Sequence, residues 1–161
     1  MWFCVAFADT PASFPRPPAG VLDDAHLLTP DEVGALEAAV AGAPVAVVTV
    51  ERAEPSPELF ADALRAAWFP GEPALVVVLS TRDRRLVTRA SPDLLDERWL
   101  AVMQQESMVP RLQQGDVGGA LLAGVVRARD QLASAGDWTW SWVVLGGGLV
   151  AAAVVAMDRR T

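Results

Sequence analysis

Residues 29–50 read TPDEVGALEAAVAGAPVAVVTV, and the order of signals within them decides the fold. Thr29-Pro30-Asp31-Glu32 places a hydroxyl three residues before a carboxylate, the reciprocal pairing of a capping box. Proline stands at the first helical position, where its missing N–H has no partner to lose. Leu28 and Val33 flank the box at the spacing of a hydrophobic staple. Val33, Leu36 and Val40 then recur at helical spacing until Gly42 supplies the stop. The run that follows, Val45 to Val50, is continuous and rich in β-branched residues, which suits a strand buried on both faces.

Toward the carboxy terminus the same alternation continues. Ser56-Pro57-Glu58 starts a second helix in which Phe60, Leu64, Ala67 and Trp68 share one side, and Pro70-Gly71 ends it. Ala74 to Ser80 is a second buried strand, and Thr81-Arg82-Asp83 is turn-like. Leu86 to Ala90 reads as a third strand with Arg85 and Arg89 outside. Ser91-Pro92-Asp93 opens a third helix with Leu95, Trp99, Val102 and Met103 inward. Asp116 caps a fourth, striped by Val117, Leu121, Val125, Ala128 and Leu132 and closed by Gly136. Helix, strand, helix, strand, strand, helix, helix is an α/β layered domain over residues 29–136. Trp68 and Trp99 fall on apolar helical faces and are expected to pack in the core.

The two ends point to a membrane. Residues 138–157, WTWSWVVLGGGLVAAAVVAM, hold no charge, and about 20 residues at 1.5 Å rise cross a hydrocarbon layer of roughly 30 Å. Trp138, Trp140 and Trp142 crowd one end, where indoles favour the headgroup level, and Arg159 and Arg160 follow the other. The expectation is one transmembrane helix with residues 158–161 cytoplasmic and the domain extracytoplasmic. Gly147 and Ala151 have small-xxx-small spacing, which arises readily by chance in so Gly- and Ala-rich a span. Residues 1–8 end in Ala6-Phe7-Ala8, an A-x-A-like cleavage signature, and read as part of a signal segment whose start lies upstream. Residues 9–28, with proline at 11, 15, 17 and 18, read as an extended lead-in.

Composition narrows the chemistry. The chain has 161 residues, is 52% hydrophobic and carries a formal charge of −7, so a nucleic-acid partner, which calls for a basic face, is not expected. One Cys excludes an internal disulfide and a multi-cysteine zinc site; one His leaves His26 as the only histidine a Ser-His-Asp triad could use. Every basic residue is Arg, so lysine Schiff-base and P-loop chemistry are absent.

The chain resembles the TPM domain family through most of residues 15–133. The pieces that carry the resemblance are Pro15 to Gly20, Val21-Leu22-Asp23 with Leu27-Leu28-Thr29-Pro30, and the strand Val45–Val50. They continue with Trp68-Phe69-Pro70-Gly71, Arg82-Asp83-Arg84, Val109-Pro110 and Gln114-Gly115-Asp116. The resemblance implies a three-layer α/β/α sandwich with a small mixed sheet, preceded by a signal and followed by a membrane span. It also implies one of two roles. One is a binding or chaperone-like module for membrane or envelope proteins; the other is an acid phosphatase associated with calcium. This sequence departs from the family pattern after its third strand, where a glycine-rich turn is replaced by Ala90-Ser91-Pro92-Asp93. Backbone N–H groups that approach an anion closely favour glycine, so the substitution argues against an inherited phosphate pocket.

Candidate site residues follow from the same motifs. Asp23 and Asp83 match acidic motif positions, as does Asp96 if the altered loop keeps its register, and together they are candidate ligands for Ca2+, a hard cation that takes oxygen donors. Asp23 and Asp24 also stand where aspartate caps a helix or turn. Arg82, Arg84, Arg85 and Arg89 around Asp83 form a candidate patch for an anion or a partner, or else solvated charges guarding an edge strand.

Overall fold

The computed structural model describes residues 14–135. Contacts divide at Arg129: one compact unit ends there and a second begins at Asp130, of which only the end of the last helix is described. The elements are β1 (Val21–Asp23), α1 (Pro30–Val40), β2 (Val45–Val50), α2 (Pro57–Trp68), β3 (Leu75–Ser80) and β4 (Arg85–Ala90). A helical stretch follows, made of α3 (Glu97–Met103), a π-helical segment (Gln104–Met108) and α4 (Val109–Gln113), and then α5 (Val117–Ala135). The expected spans 1–8, 138–157 and 158–161 lie outside the described residues. Among the described residues no helix is long and apolar enough to cross a membrane.

The sheet is mixed. Its strands run in the order β1-β2-β3-β4, with β1, β2 and β3 parallel and β4 antiparallel to β3. Every residue of β2 and of β3 is buried, as their unbroken apolar runs require. Period-two alternation divides them between two cores. Ala46, Val48, Val50, Val76 and Val78 join Phe60, Ala61, Leu64 and Trp68 of α2 and Val87 of β4 in one cluster. The alternate residues Val45, Val47, Leu75 and Val77 face the other way, as do Thr49 and Thr88. On that side Gln104 donates to Thr88 Oγ1 and Arg129 to the carbonyl of Ala39, tying the 97–113 stretch and α5 to the sheet and to α1. A Cβ at Gly124 would stand 2.5 Å from Met108 Sδ, so a larger residue there would have to displace that side chain.

The helix starts obey their sequence signals. Thr29 caps α1 with Glu32 completing the box, and Ser56 caps α2 through the N–H of Leu59. Three expectations change. Val21–Asp23, read as part of the 9–28 lead-in, is a strand. Three residues carry too little periodicity to announce it, and its place is set by pairing Val21 with Val47 and Asp23 with Thr49. The third helix begins at Glu97 under an Asp96 cap, not at residue 91. Ser91-Pro92-Asp93 instead forms a turn, because the Ser91 hydroxyl accepts the N–H of Ala74 and its carbonyl accepts from Leu94 and Leu95. Finally, Val102 and Ala67 are exposed, and Ala61 takes a buried place on α2.

β1, β2 and β3 run parallel, so their carboxyl ends lie at one edge of the sheet.

Candidate functional site

The carboxyl ends of β1, β2 and β3 share one edge, where Asp23, Thr49 and Ser80 stand. Thr49 is wholly buried, and its hydroxyl donates to Asp23 Oδ1. The same carboxylate accepts the N–H groups of Leu27 and Leu28, both at 3.0 Å. Asp23 thus closes the loop to α1, a loop that also hangs from the carbonyl of Thr49 through the N–H groups of Asp24 and Ala25. His26 lies within it, exposed, with φ of 51°. A non-glycine residue in that region is held there by its surroundings, here by the bonds to the Thr49 carbonyl before it and to the Asp23 carboxylate after it.

On the far side of β2 stands a second carboxylate. Asp83 Oδ2 accepts the Ser80 hydroxyl at 2.5 Å and the N–H of Ala53 at 3.1 Å. These bonds, the Ser80 hydroxyl foremost and the Ala53 amide next, hold the Asp83 carboxyl below its ordinary range. Asp83 therefore pins the β3–β4 turn to the segment that follows β2. Asp96 is elsewhere: it caps α3 by accepting the N–H of Arg98. Among the described residues no three His, Cys, Asp or Glu side chains come together as a metal donor set. Calcium takes about six to eight oxygens, and the oxygens of Asp23 and Asp83 named above already face the chain's own donors.

The four arginines part company. Strand alternation puts Arg85 and Arg89 on the α2 side with Val87, where they meet Glu58 at 2.5 Å and Asp62 at 3.5 Å. Glu58 and Asp62 are one helical turn apart, so α2 presents both carboxylates to the strand. The Arg85 guanidinium, by hydrogen bond and charge, lowers the pKa of Glu58. Arg82 pairs with Glu51 at 3.0 Å. Arg84 has no ion-pair partner among the described residues, and its φ of 50° turns the chain at the end of the hairpin.

Beside these groups is a cleft of about 950 Å³. One wall is the β3–β4 turn, with Ser80, Thr81, Arg84 and Arg85; the other is the 104–117 segment, with Gln104, Leu112 and Val117. Leu27, Leu79 and Leu86 add apolar surface. Sequence reasoning found the aspartates and the arginines but missed Thr49, Ser80 and the far wall. The first two had a signal: each is a hydroxyl near the carboxyl end of an apolar strand. Gln104 and Leu112 had none, because the π segment changes which side a residue faces.

A family model described as the TPM domain matches residues 21–131. Among solved structures, the chain is similar to the N-terminal domain of a P. gingivalis protein, with a TM-score of 0.69 and 21% identity over 80% of this chain and 94% of that one. The N-terminal domain of a Corynebacterium glutamicum protein gives a TM-score of 0.58 and 18% identity, covering 80% and 87%. A protein of the psychrophilic bacterium Bizionia argentinensis gives 0.55 and 16%, covering 66% and 82%. At these identities the likeness is one of fold. No curated protein matches this sequence.

Proposed function

The chain belongs to the TPM domain family, and from that premise we propose that it is a binding or chaperone-like module for membrane or envelope proteins. In this reading the domain is an α/β/α sandwich outside the cytoplasmic membrane, tethered by residues 138–157 with Arg159 and Arg160 inside. One observation carries the preference for binding over catalysis: Asp23 and Asp83, the two motif aspartates, are engaged by Thr49, Leu27, Leu28, Ser80 and Ala53. A carboxylate so engaged shapes loops; a metal-assisted hydrolase needs its carboxylate oxygens open to the ion.

The competing reading is a divalent-cation-associated acid phosphatase built on the same aspartates. The test is hydrolysis of para-nitrophenyl phosphate by the full chain in lipid nanodiscs, with and without calcium, beside the Asp83→Asn variant. The expected result is no turnover above empty nanodiscs. Calcium-dependent turnover that disappears in Asp83→Asn would overturn the binding reading.

A further inference from the structure

We propose that the amino edge of the sheet is the surface this domain lays on the lipid headgroups, so that the cleft at the carboxyl edge opens away from the bilayer. The inference rests on the reading of residues 138–157 as a membrane span and adds which surface of the domain meets the lipid.

Where the chain enters and leaves is the first argument. β2 and β3 begin at the amino edge with Val45 and Leu75, and β4, being antiparallel, ends there with Ala90. The loops at these ends lie side by side: the N–H of Leu75 donates to the Pro44 carbonyl, and that of Ser91 to the Ala74 carbonyl. The lead-in is fixed at the same edge. Arg16 donates to the carbonyl of Trp68, the last residue of α2, and the Trp68 indole donates to the carbonyl of Phe14. α5 returns here from the opposite edge. It starts where a Cβ at Gly118 would meet the Glu32 side chain in the first turn of α1, and by Arg129 it has reached the Ala39 carbonyl in the last turn of α1. At 1.5 Å rise per residue, Val117 to Arg129 covers about 18 Å. Only residues 130–137 separate Arg129 from the proposed span, a length that reaches at most about 28 Å even when fully extended.

That tether brings the amino edge near the membrane, and surface chemistry turns the edge toward it. Its loops are poor in charge: residues 41–44 read AGAP, 70–73 PGEP and 91–94 SPDL, and the lead-in 15–20, PRPPAG, adds one arginine. Ala41, Gly42, Pro70 and Gly71 are exposed there. At the carboxyl edge residues 51–54 read ERAE and 81–84 TRDR, and Glu51, Arg52, Arg82 and Arg84 are exposed. Pressing ionised groups against a headgroup layer strips water from them, a penalty that uncharged Pro, Gly and Ala loops do not carry. Six residues of strand then set the cleft about 20 Å farther from the lipid than the start of β3, so an occupant reaches it from the aqueous side.

The experiment uses the full chain with Cys4→Ser and one new cysteine at an exposed position. Ala41→Cys and Glu72→Cys mark the amino edge, and Arg52→Cys and Gln114→Cys mark the carboxyl edge. Each protein is labelled with bimane and placed in phosphatidylcholine nanodiscs, with or without lipid carrying a nitroxide on its headgroup. Emission at positions 41 and 72 is expected to fall about twofold or more with the nitroxide lipid, while the ~20 Å depth of the sheet keeps labels at 52 and 114 near full intensity. Circular dichroism on each labelled protein checks that the fold is kept, and two positions at each edge guard against a local effect of one label. Equal quenching at both edges, stronger quenching at 52 and 114, or none at any position would overturn the inference. A chain that does not enter the nanodiscs would overturn the membrane-span reading and the inference with it. Entry with the wrong quenching pattern removes the inference alone, so the two failures are distinguishable.

Discussion

The two faces of the sheet are built on opposite plans. One is covered by α2, whose Phe60 and Leu64 are fully buried against valines of β2 and β3, with Phe14 of the lead-in packed edge-on against Phe60. Its border is sealed by the ion pairs of Arg85 with Glu58 and Arg89 with Asp62. The other face is covered by α1, the 97–113 stretch and α5, which enter from distant parts of the sequence. On the first side α2 and the lead-in fill the face together. Several shorter pieces meeting at angles leave space where they fail to touch, and here the space is the cleft at the carboxyl edge. The closed face holds the domain together, and the open one has room for a ligand.

The sharpest test of that contrast is truncation on each side. Phe60→Ala removes a wholly buried ring from the α2 face and should destabilise the chain by about 3–5 kcal/mol. Leu86→Ala, at a half-buried position lining the cleft, should cost about 1 kcal/mol or less. Urea denaturation of both variants measures the gap; similar losses would erase the distinction between the faces.

A smaller effect comes from acid. The Asp83 carboxyl is held below its ordinary range in the folded chain, so it contributes stability that is complete above the ordinary value. That contribution fades as pH falls below that value toward the folded one, because the unfolded chain takes up the proton first. Asp83→Asn should therefore lower stability at neutral pH and flatten its fall in acid. A pH series of urea midpoints in which wild type and variant stay parallel would show that the edge owes nothing to this charge.

The smallest effect is expected at the seal itself. The Arg85 and Glu58 side chains are 61% and 33% exposed, so solvent screens the pair, and Arg85→Gln should cost about 0.2–1 kcal/mol. The loss should shrink further in molar salt. A salt-independent loss of several kcal/mol would mean that charge, not apolar packing, closes the α2 face.

Legibility in the sequence followed the range of the forces involved. Thr29 with Glu32 and Ser56 with Leu59 are contacts within one turn, so capping signals located α1 and α2. β2 and β3 were legible because two-faced burial demands an unbroken apolar run. Ser91-Pro92-Asp93 misled because the same residues open a helix or make a turn, and the deciding partner, Ala74, is distant in sequence. The arginines around Asp83 read as one patch, but alternation along β4 and the carboxylates of α2 drew two of them to the other side.

The order of the main elements, the caps and the two apolar strands were thus fixed by the chain locally, since each depends on neighbours a few residues away. Tertiary structure alone decided that Val21–Asp23 is a strand, that Thr49 meets Asp23 and Ser80 meets Asp83, and that Arg84 lines a cleft with no ion-pair partner among the described residues. Those outcomes depend on which strand lies beside which and on which face each helix covers. No short window of sequence records that choice, because it is made by burial between segments that meet only when the chain folds.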